Sequence, residues 1–468
     1  MISVSDKTGI VELAKELCGR NIELVSTGGS ASILQDAGFK VIKISKLTGF
    51  PEMMDGRLKT LHPNVHGGLL ANRDEKSHVN AMQEYKIKEI DLLVVNLYPF
   101  GEKVRTGAAY AECIENIDIG GPAMIRAAAK NFRYVATLVD IQDYGGLINE
   151  LKMNNGCTTY SFRQKLSQNA FSLTAYYDAM VSNWMLDNIT GVRPRRFSIS
   201  AALSHDLRYG ENPHQSASFY VDENLQGGIG VSNQLQGKKL SYNNINDTDA
   251  ALELVNEFPE NDGAAAVIVK HANPCGVGVA NSLVEAYRSA FSCDKTSAFG
   301  GIVALNRFID DESAREIIKV FTEVVIAPGI TEGARKIFSS KNNIRLLINK
   351  KSPDQVYSSK VIKHIAGGYL LQDKDLGPLS QSNLRVVTKR IPTENEFQDM
   401  LFAWKVAKHV KSNAIVYAKD RSTVGIGAGQ MSRVDSCKIA GKKAEDMAKT
   451  QGLQDVPTRG SALASDAF

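Results

Sequence analysis

The sequence predicts an α/β protein of two domains, and three observations carry that expectation. Short apolar segments alternate with amphipathic ones along the first third, the pattern of strands separated by crossover helices and hence of a mostly parallel sheet. A basic, proline-containing stretch, TGVRPRRFSIS at 190–200, interrupts that pattern, so the expected domains are 1–195 and 196–468. Beyond it a weak internal echo recurs: VIVKH, a turn, VGVA and SLVEAYRSA resemble AIVYAK, a turn, TVGIGAG and SRVDSCKIA. Both read strand–turn–strand–helix, which suggests two related α/β subunits.

The elements follow in order. ISVS is a short apolar strand. KTGIVELAKELCGRN places Ile10, Leu13, Ala14 and Leu17 on one helical face. NIELVS is the next strand; in the following helix Ser30 is the expected N-cap and Gly38 the stop. KVIKIS, IDLLVVNLYPF and YVATLVD read as further strands, and Pro122 suits the first turn of PAMIRAAAKN.

Composition narrows the function classes. The chain has 468 residues, 43% apolar and 23% charged, with net charge +4. It lacks a dense Lys/Arg run, which argues against nucleic acid or a membrane surface as main partner but allows basic pockets for small anions. No apolar stretch reaches the ~18 residues of a span, and MISVSDKTG has no signal-peptide pattern. Cys18, Cys113, Cys157, Cys275, Cys293 and Cys437 form no C-x-x-C pair. Reduced thiols in a cytoplasmic protein are the simplest reading.

Several motifs admit both a structural and a functional reading. STGGSA (26–31) follows a strand and opens a helix, so its glycines either make a turn or let backbone N–H groups approach a phosphate. In GRLKTLHPNVHGG (56–68), Arg57 and Lys59 are either solvated or a phosphate clamp. His62 and His66 are four apart, but the intervening Pro63 speaks against a helical metal pair. Tyr98 of NLYPF, Asp118 of NIDIGG and Lys130 fall where open α/β sheets collect ligands, beyond the carboxyl ends of strands. Each is otherwise packing or a helix-end charge.

The stretch VIVKHANPCGVGVA (267–280) is the most informative. A zinc deaminase carries H-x-E and P-C-x-x-C. Here Asn273 stands where the Glu should be and no second cysteine follows Cys275, so the zinc reading fails and Cys275 reads as buried packing. Lys270 and His271 end a strand, and Asn-Pro-Cys-Gly is expected to supply the turn that lets both face one site. A neutral imidazole takes a proton from a weak amine nucleophile while an ammonium stabilises negative charge. The bland alternative is a solvated strand end. SAFGGIVALN (297–306) and GIGAGQMSR (425–433) add Phe299, which can stack on a flat ring, and Arg433, which can pair with a carboxylate.

Taken together, SDKTG, STGGSA, GFPEMMDGRLKTLHPNVHGG, NLYPF, IDIGG with RAAAKN, LRYGENPHQ, KHANPCGVG, SAFGGIVALN, GIGAGQMSR and ASDAF occur in this order. From Ser3 to Phe468 the chain resembles the bifunctional purine-biosynthesis family that joins AICAR transformylase to IMP cyclohydrolase. The resemblance implies a methylglyoxal-synthase-like first domain that closes the purine ring. Its nucleotide would lie against Ser5, Lys7, Ser26, Thr27, Gly28, Gly29, Arg57, Thr60 and Asn96, with Lys59, Tyr98, Asp118 and Lys130 catalytic. It implies a second domain of two cytidine-deaminase-like subunits without catalytic metal, taking 10-formyltetrahydrofolate as co-substrate, with room for a structural monovalent cation. There His271 would accept the proton, Lys270 and Asn413 would support it, and Arg208, Tyr209, Gly300, Glu323 and Asp466 would hold the nucleotide. Phe299 and Arg433 fall on the folate side. The implied partners are AICAR, formyl-AICAR, IMP and folate, in a homodimer with shared transformylase sites.

The chain stops at SALASDAF, inside a motif that in the family continues into a further segment. An exposed sheet edge is expected there; ring closure is expected to survive, and the sequence leaves open whether formyl transfer does. Two rival classes compete: a nucleotide sensor, which would need the phosphate loops but not Lys270-His271 or Tyr98, Asp118 and Lys130, and a zinc nucleoside deaminase, against which Asn273 and the lone Cys275 speak.

Overall fold

The computed structural model describes all residues except 55, 190–192, 224, 226, 351–359, 378–383 and 467–468. The first residues of the expected boundary stretch, and the last two of ASDAF, lie outside the described residues. The chain divides into two compact units, Met1–Ala202 and Leu203–Phe468, slightly beyond the expected boundary.

The first unit is built on a parallel sheet of β1 (Ile2–Ser3), β2 (Leu24–Ser26), β3 (Val41–Lys43), β4 (Leu92–Val95) and β5 (Ala136–Leu138), in the order β3-β2-β1-β4-β5. Both faces are covered. On one, the helix Ile10–Cys18 buries Ile10, Leu13, Ala14 and Leu17, the face its periodicity predicts. On the other, Val65 and Leu69 of the helix Pro63–Leu70 meet Met124 and Ile125 of the helix Gly120–Lys130. Burial on both sides explains why the strands read as apolar runs rather than alternating ones.

The helix after β2 starts earlier than expected. It spans Gly28–Asp36 with Thr27 as N-cap, not Ser30. Ser30 lies within the helix, where its hydroxyl accepts from Val4 N at 3.3 Å and donates to Val4 O at 3.0 Å. A tertiary partner thus claims the side chain that local statistics assign to capping.

The second unit begins with a two-stranded ribbon, β6 (Ala202–Leu207) and β7 (Ala217–Val221). Its main sheet, among the described residues, contains β8 (Asn233–Gln236), β9 (Ala264–Lys270), β10 (Asn273–Ala280), β11 (Ile302–Leu305), β12 (Val324–Ala327) and β13 (Arg345–Ile348). A second ribbon, β14 (Lys360–Ile365) and β15 (Gly368–Asp373), stands apart from it. The main sheet then continues with β16 (Ile415–Lys419), β17 (Ser422–Gly427) and β18 (Ala462–Ser465), in the order β18-β16-β17-β10-β9-β11-β12-β13-β8. Among the described strands of this sheet, only β11–β12 and β12–β13 pair in parallel.

The internal echo is real in three dimensions. Hairpin β9–β10 is followed by the helix Leu283–Cys293, and hairpin β16–β17 by the helix Arg433–Gln451. The two hairpins join through antiparallel β10 and β17. Here Thr423 Oγ1 accepts from Val277 N at 2.9 Å and donates to Val277 O at 3.2 Å. β18 is the first strand in the sheet order and pairs antiparallel with β16.

Candidate functional sites

In the first unit a cavity of about 720 Å³ opens beyond the carboxyl ends of the strands, lined by the segments after β1, β2 and β4 and by the start of the helix Gly120–Lys130. It gathers Ser5, Lys7, Thr27, Gly28, Gly29, Arg57, Lys59, Thr60, Asn96, Tyr98 and Asp118. Asn96 ties two of these segments together. Its Oδ1 accepts from Ser5 N at 2.5 Å and Asp6 N at 2.9 Å, and its Nδ2 donates to Asp6 O at 2.8 Å. Lys7 Nζ donates to Ser5 O at 2.8 Å, close to Gly29 at the helix start. A helix N-terminus, two glycines and an ammonium form a cradle suited to a phosphate.

Next to it, Lys59 Nζ lies 3.2 Å from the Tyr98 hydroxyl. Asp118 Oδ1 accepts from Gly121 N at 2.8 Å, and Asp118 N donates to the Tyr177 hydroxyl at 2.8 Å. Burial raises the Asp118 pKa, partly opposed by the backbone N–H groups of Gly121 and Tyr98 and by the charge of Lys59. The pair offers an ammonium-backed phenol and a carboxylate of enhanced basicity on one wall.

Two expected members are placed elsewhere. Ser26 is fully buried and donates to Ile2 O at 2.7 Å, so its hydroxyl serves the sheet. Lys130 ends its helix at an exposed position and does not line the cavity. Sequence reasoning missed Glu115, which pairs with Arg57, and Tyr177, which fixes the Asp118 backbone. The loop expected around His62 and His66 is partly helical. His62 caps it, with Nδ1 accepting from Asn64 N at 3.1 Å, and Pro63 is its first residue. A proline at the first position, where the N–H is unused, starts a helix rather than breaking one.

In the second unit a cavity of about 600 Å³ gathers Arg208, Tyr209, Lys270, His271, Gly300 and Glu323. Lys270 and His271 therefore face one cleft. The turn that achieves this is not the expected Asn-Pro-Cys-Gly. Register pairs Lys270 with Asn273, so His271 and Ala272 are the turn and Asn273 already belongs to β10. Both turn residues have positive φ, 53° and 54°, the pattern of a type I′ hairpin that right-twisted strands prefer. Outside glycine this conformation costs roughly 1–2 kcal/mol per residue. Asp247 offsets it: Oδ2 accepts from His271 N and Oδ1 from Ala272 N, each at 2.9 Å.

Cys275 sits at the irregularity in β10, between Pro274 and Gly276, and burial pushes its thiol up to about 12. It is packing, not a nucleophile. A side chain on Gly276 would meet Ala290 O at 1.9 Å, so that glycine lets a helix approach the sheet.

Lys270 Nζ donates to Phe299 O at 2.8 Å, which aims the ammonium at the cavity wall. Gly300, with φ 73°, returns the chain by donating to Phe321 O at 2.8 Å. Glu323 is held by Arg345 at 2.5 Å. Lys238, Lys239 and Arg345 also line the cavity and were not anticipated; with Arg208 they make it basic enough for a phosphate. Phe299 lies outside the lining, half exposed and tilted against Phe321 at 5.3 Å.

Asn413, Arg433 and Asp466 form a separate cluster outside this cavity. Arg433 donates to Asn413 Oδ1 at 2.8 Å, Ser465 Oγ at 2.6 Å and Asp466 O at 2.5 Å. Asp466 Oδ1 accepts from Ala414 N at 2.6 Å. Register sets this cluster at the same end of the sheet as the His271 turn, and Lys411 N donates to Asn273 Oδ1 at 3.0 Å. No group of three or more His, Cys, Asp or Glu side chains arranged to hold a metal occurs among the described residues.

Comparison with known proteins decides the family. Residues 128–443 match the AICARFT/IMPCHase bienzyme model, and residues 9–123 match the MGS-like domain. The chain belongs to the AICARFT/IMPCHase bienzyme family. It is 59% identical over 468 residues to "Bifunctional purine biosynthesis protein PurH" of Dinoroseobacter shibae, covering all of this chain and 88% of that protein. The namesake proteins of Ruegeria sp. (strain TM1040) and Paracoccus denitrificans are 59% and 57% identical over the same shares. A solved structure titled "Crystal structure of ForH" is 36% identical, with TM-score 0.35, covering 40% of this chain and 98% of that one. The bienzyme is thus an enzyme of purine biosynthesis with two activities, formyl transfer to AICAR and closure of formyl-AICAR to IMP.

Proposed function

We propose that the two activities occupy the two cavities, ring closure in the first unit and formyl transfer from 10-formyltetrahydrofolate in the second. In the first, the phosphate of formyl-AICAR rests in the cradle of Ser5, Lys7, Thr27, Gly28, Gly29, Arg57 and Thr60. The carboxamide nitrogen attacks the formyl carbon; Asp118 takes its proton, Lys59 and Tyr98 stabilise and protonate the developing oxyanion, and water leaves. The Lys59–Tyr98 contact and the raised basicity of Asp118 support these roles.

In the second, AICAR lies against Arg208, Tyr209, Gly300 and Glu323. Its 5-amino nitrogen attacks the formyl carbon, forming the new C–N bond. His271 accepts the amine proton and Lys270 stabilises the oxyanion; the bond to folate N10 then breaks, and the folate nitrogen takes up a proton. The observation that carries this reading is that His271 and Lys270 line one basic cavity. The separate Asn413–Arg433–Asp466 cluster supports a homodimer in which it completes the transformylase site together with a second copy; light scattering on the purified protein checks that state. Cytoplasmic placement suits six cysteines that are all free. The direct test is conversion of AICAR plus 10-formyltetrahydrofolate to IMP. Accumulation of formyl-AICAR in the Asp118→Asn variant is expected; consumption of neither substrate by the parent chain contradicts the reading.

A further inference from the structure

The repeat in the second unit extends to a detail that the sequence echo does not reveal. The helix Tyr242–Val255 begins at Ser241 with a reciprocal cap through Asn244, and the helix Glu394–Ala407 begins at Thr393 with a reciprocal cap through Glu396. Six residues after each cap (241 to 247, 393 to 399) stands an aspartate. Asp247 accepts from the backbone N–H groups of His271 and Ala272, each at 2.9 Å. Asp399 accepts from those of Asp420, at 3.0 Å, and Arg421, at 2.7 Å. All four turn residues have φ between 52° and 54°. The same carboxylate clamp thus holds two left-handed hairpin turns, neither containing glycine.

The two turns differ in their relation to the cavity that holds Lys270. Asp247 lines it together with His271, whereas Asp399, Asp420 and Arg421 do not. Without the clamp, a left-handed pair of non-glycine residues relaxes to other backbone conformations, and the His271 imidazole moves with its backbone. Lys270 is fixed separately, through Phe299 O, so such movement changes the distance between proton acceptor and ammonium.

We propose that Asp247 is a positioning residue for formyl transfer, its carboxylate bridging the two turn amides so that the His271 imidazole faces the reacting amine. This inference rests on the reading of His271 as proton acceptor. Asp399 supplies an internal control, since its clamp has the same scaffold role without a reacting group.

The test uses the full chain and compares Asp247→Asn, Asp399→Asn, Asp247→Asn with Ala272→Gly, and His271→Ala. Formyl-transfer kcat and KM for AICAR, cyclisation of formyl-AICAR and the thermal midpoint are measured for each. Asp247→Asn is expected to lower kcat about tenfold or more, the scale of a misplaced reacting group, with KM within about twofold. Asp399→Asn is expected to lower the thermal midpoint comparably and leave kcat within about twofold. Adding Ala272→Gly, which accepts positive φ without help, restores most of the lost kcat. Equal effects of the two Asn variants on kcat, or an Asp247→Asn enzyme with parental kcat, overturn the proposal. So does an Asp247→Asn chain that fails to fold where Asp399→Asn folds, because the two clamps would then not be equivalent scaffolds. Persistent transfer by His271→Ala removes the proton-acceptor reading instead and leaves the clamp geometry standing.

Discussion

The two candidate sites lie in cavities of similar size that are reached by different routes. In the first unit, about 720 Å³ is enclosed where parallel strands end and helices begin, so the fold itself supplies backbone donors and a helix dipole. In the second, about 600 Å³ opens beside an antiparallel hairpin whose turn carries the reacting groups. The first site depends on topology. The second depends on a strained turn, and strain must be held by named contacts. The difference predicts that substitutions in one unit or the other separate the activities cleanly, and that their costs take different forms.

The largest separation comes from the reacting groups. His271→Ala is expected to lower formyl transfer by about a thousandfold, the range of a lost general base, while cyclisation stays within about twofold. Paired single-substrate assays check this, and parallel loss of both activities breaks the two-site comparison.

The next effect is on stability. Gly276→Ala drives a methyl group into Ala290 O, at 1.9 Å on the unshifted backbone. It is expected to cost about 3 kcal/mol, an overpacking penalty at the upper end of the usual range, read as lost denaturant resistance of the second unit. Gly28→Ala in the first unit meets nothing within 4 Å but has φ 38°. It is expected to cost only about 1 kcal/mol. Equal costs would show that the two glycine-rich motifs serve one purpose.

The smallest effect is a shift in pH. Burial raises the Asp118 pKa above the ordinary aspartate value, so the carboxylate that accepts the proton is lost as pH falls, and earlier than for an unburied aspartate. The acidic limb of cyclisation is therefore expected at higher pH than an unburied aspartate would set. Asp118→Asn removes that limb.

Much of this was legible in the sequence, and the failures are instructive. The buried face Ile10, Leu13, Ala14 and Leu17 follows from periodicity, and the parallel pairing of the first sheet from the alternation of strands and helices. Cavity membership of Lys59, Tyr98, Asp118, Lys270 and His271 follows from their positions at strand ends and helix starts. The turn at 271–272 was not legible. Asn-Pro-Cys-Gly has the stronger local turn chemistry, yet Gly276 serves helix packing and the turn falls at His271-Ala272, whose amides Asp247 accepts from. That aspartate lies 24 residues from His271 in sequence, beyond any window of local propensity. Ser26 and Ser30 likewise found partners on neighbouring segments. Glu115, which meets Arg57, also lies far from its partner in sequence, with a separation of 58.

The most direct test of two independent sites in one chain is complementation. His271→Ala and Asp118→Asn variants are prepared separately, and each is given AICAR and 10-formyltetrahydrofolate. Neither alone is expected to form IMP at an appreciable rate. Mixed together they are expected to form it, as formyl-AICAR released by one is closed by the other. A mixture as inactive as its components, with formyl-AICAR present in solution, would contradict the assignment.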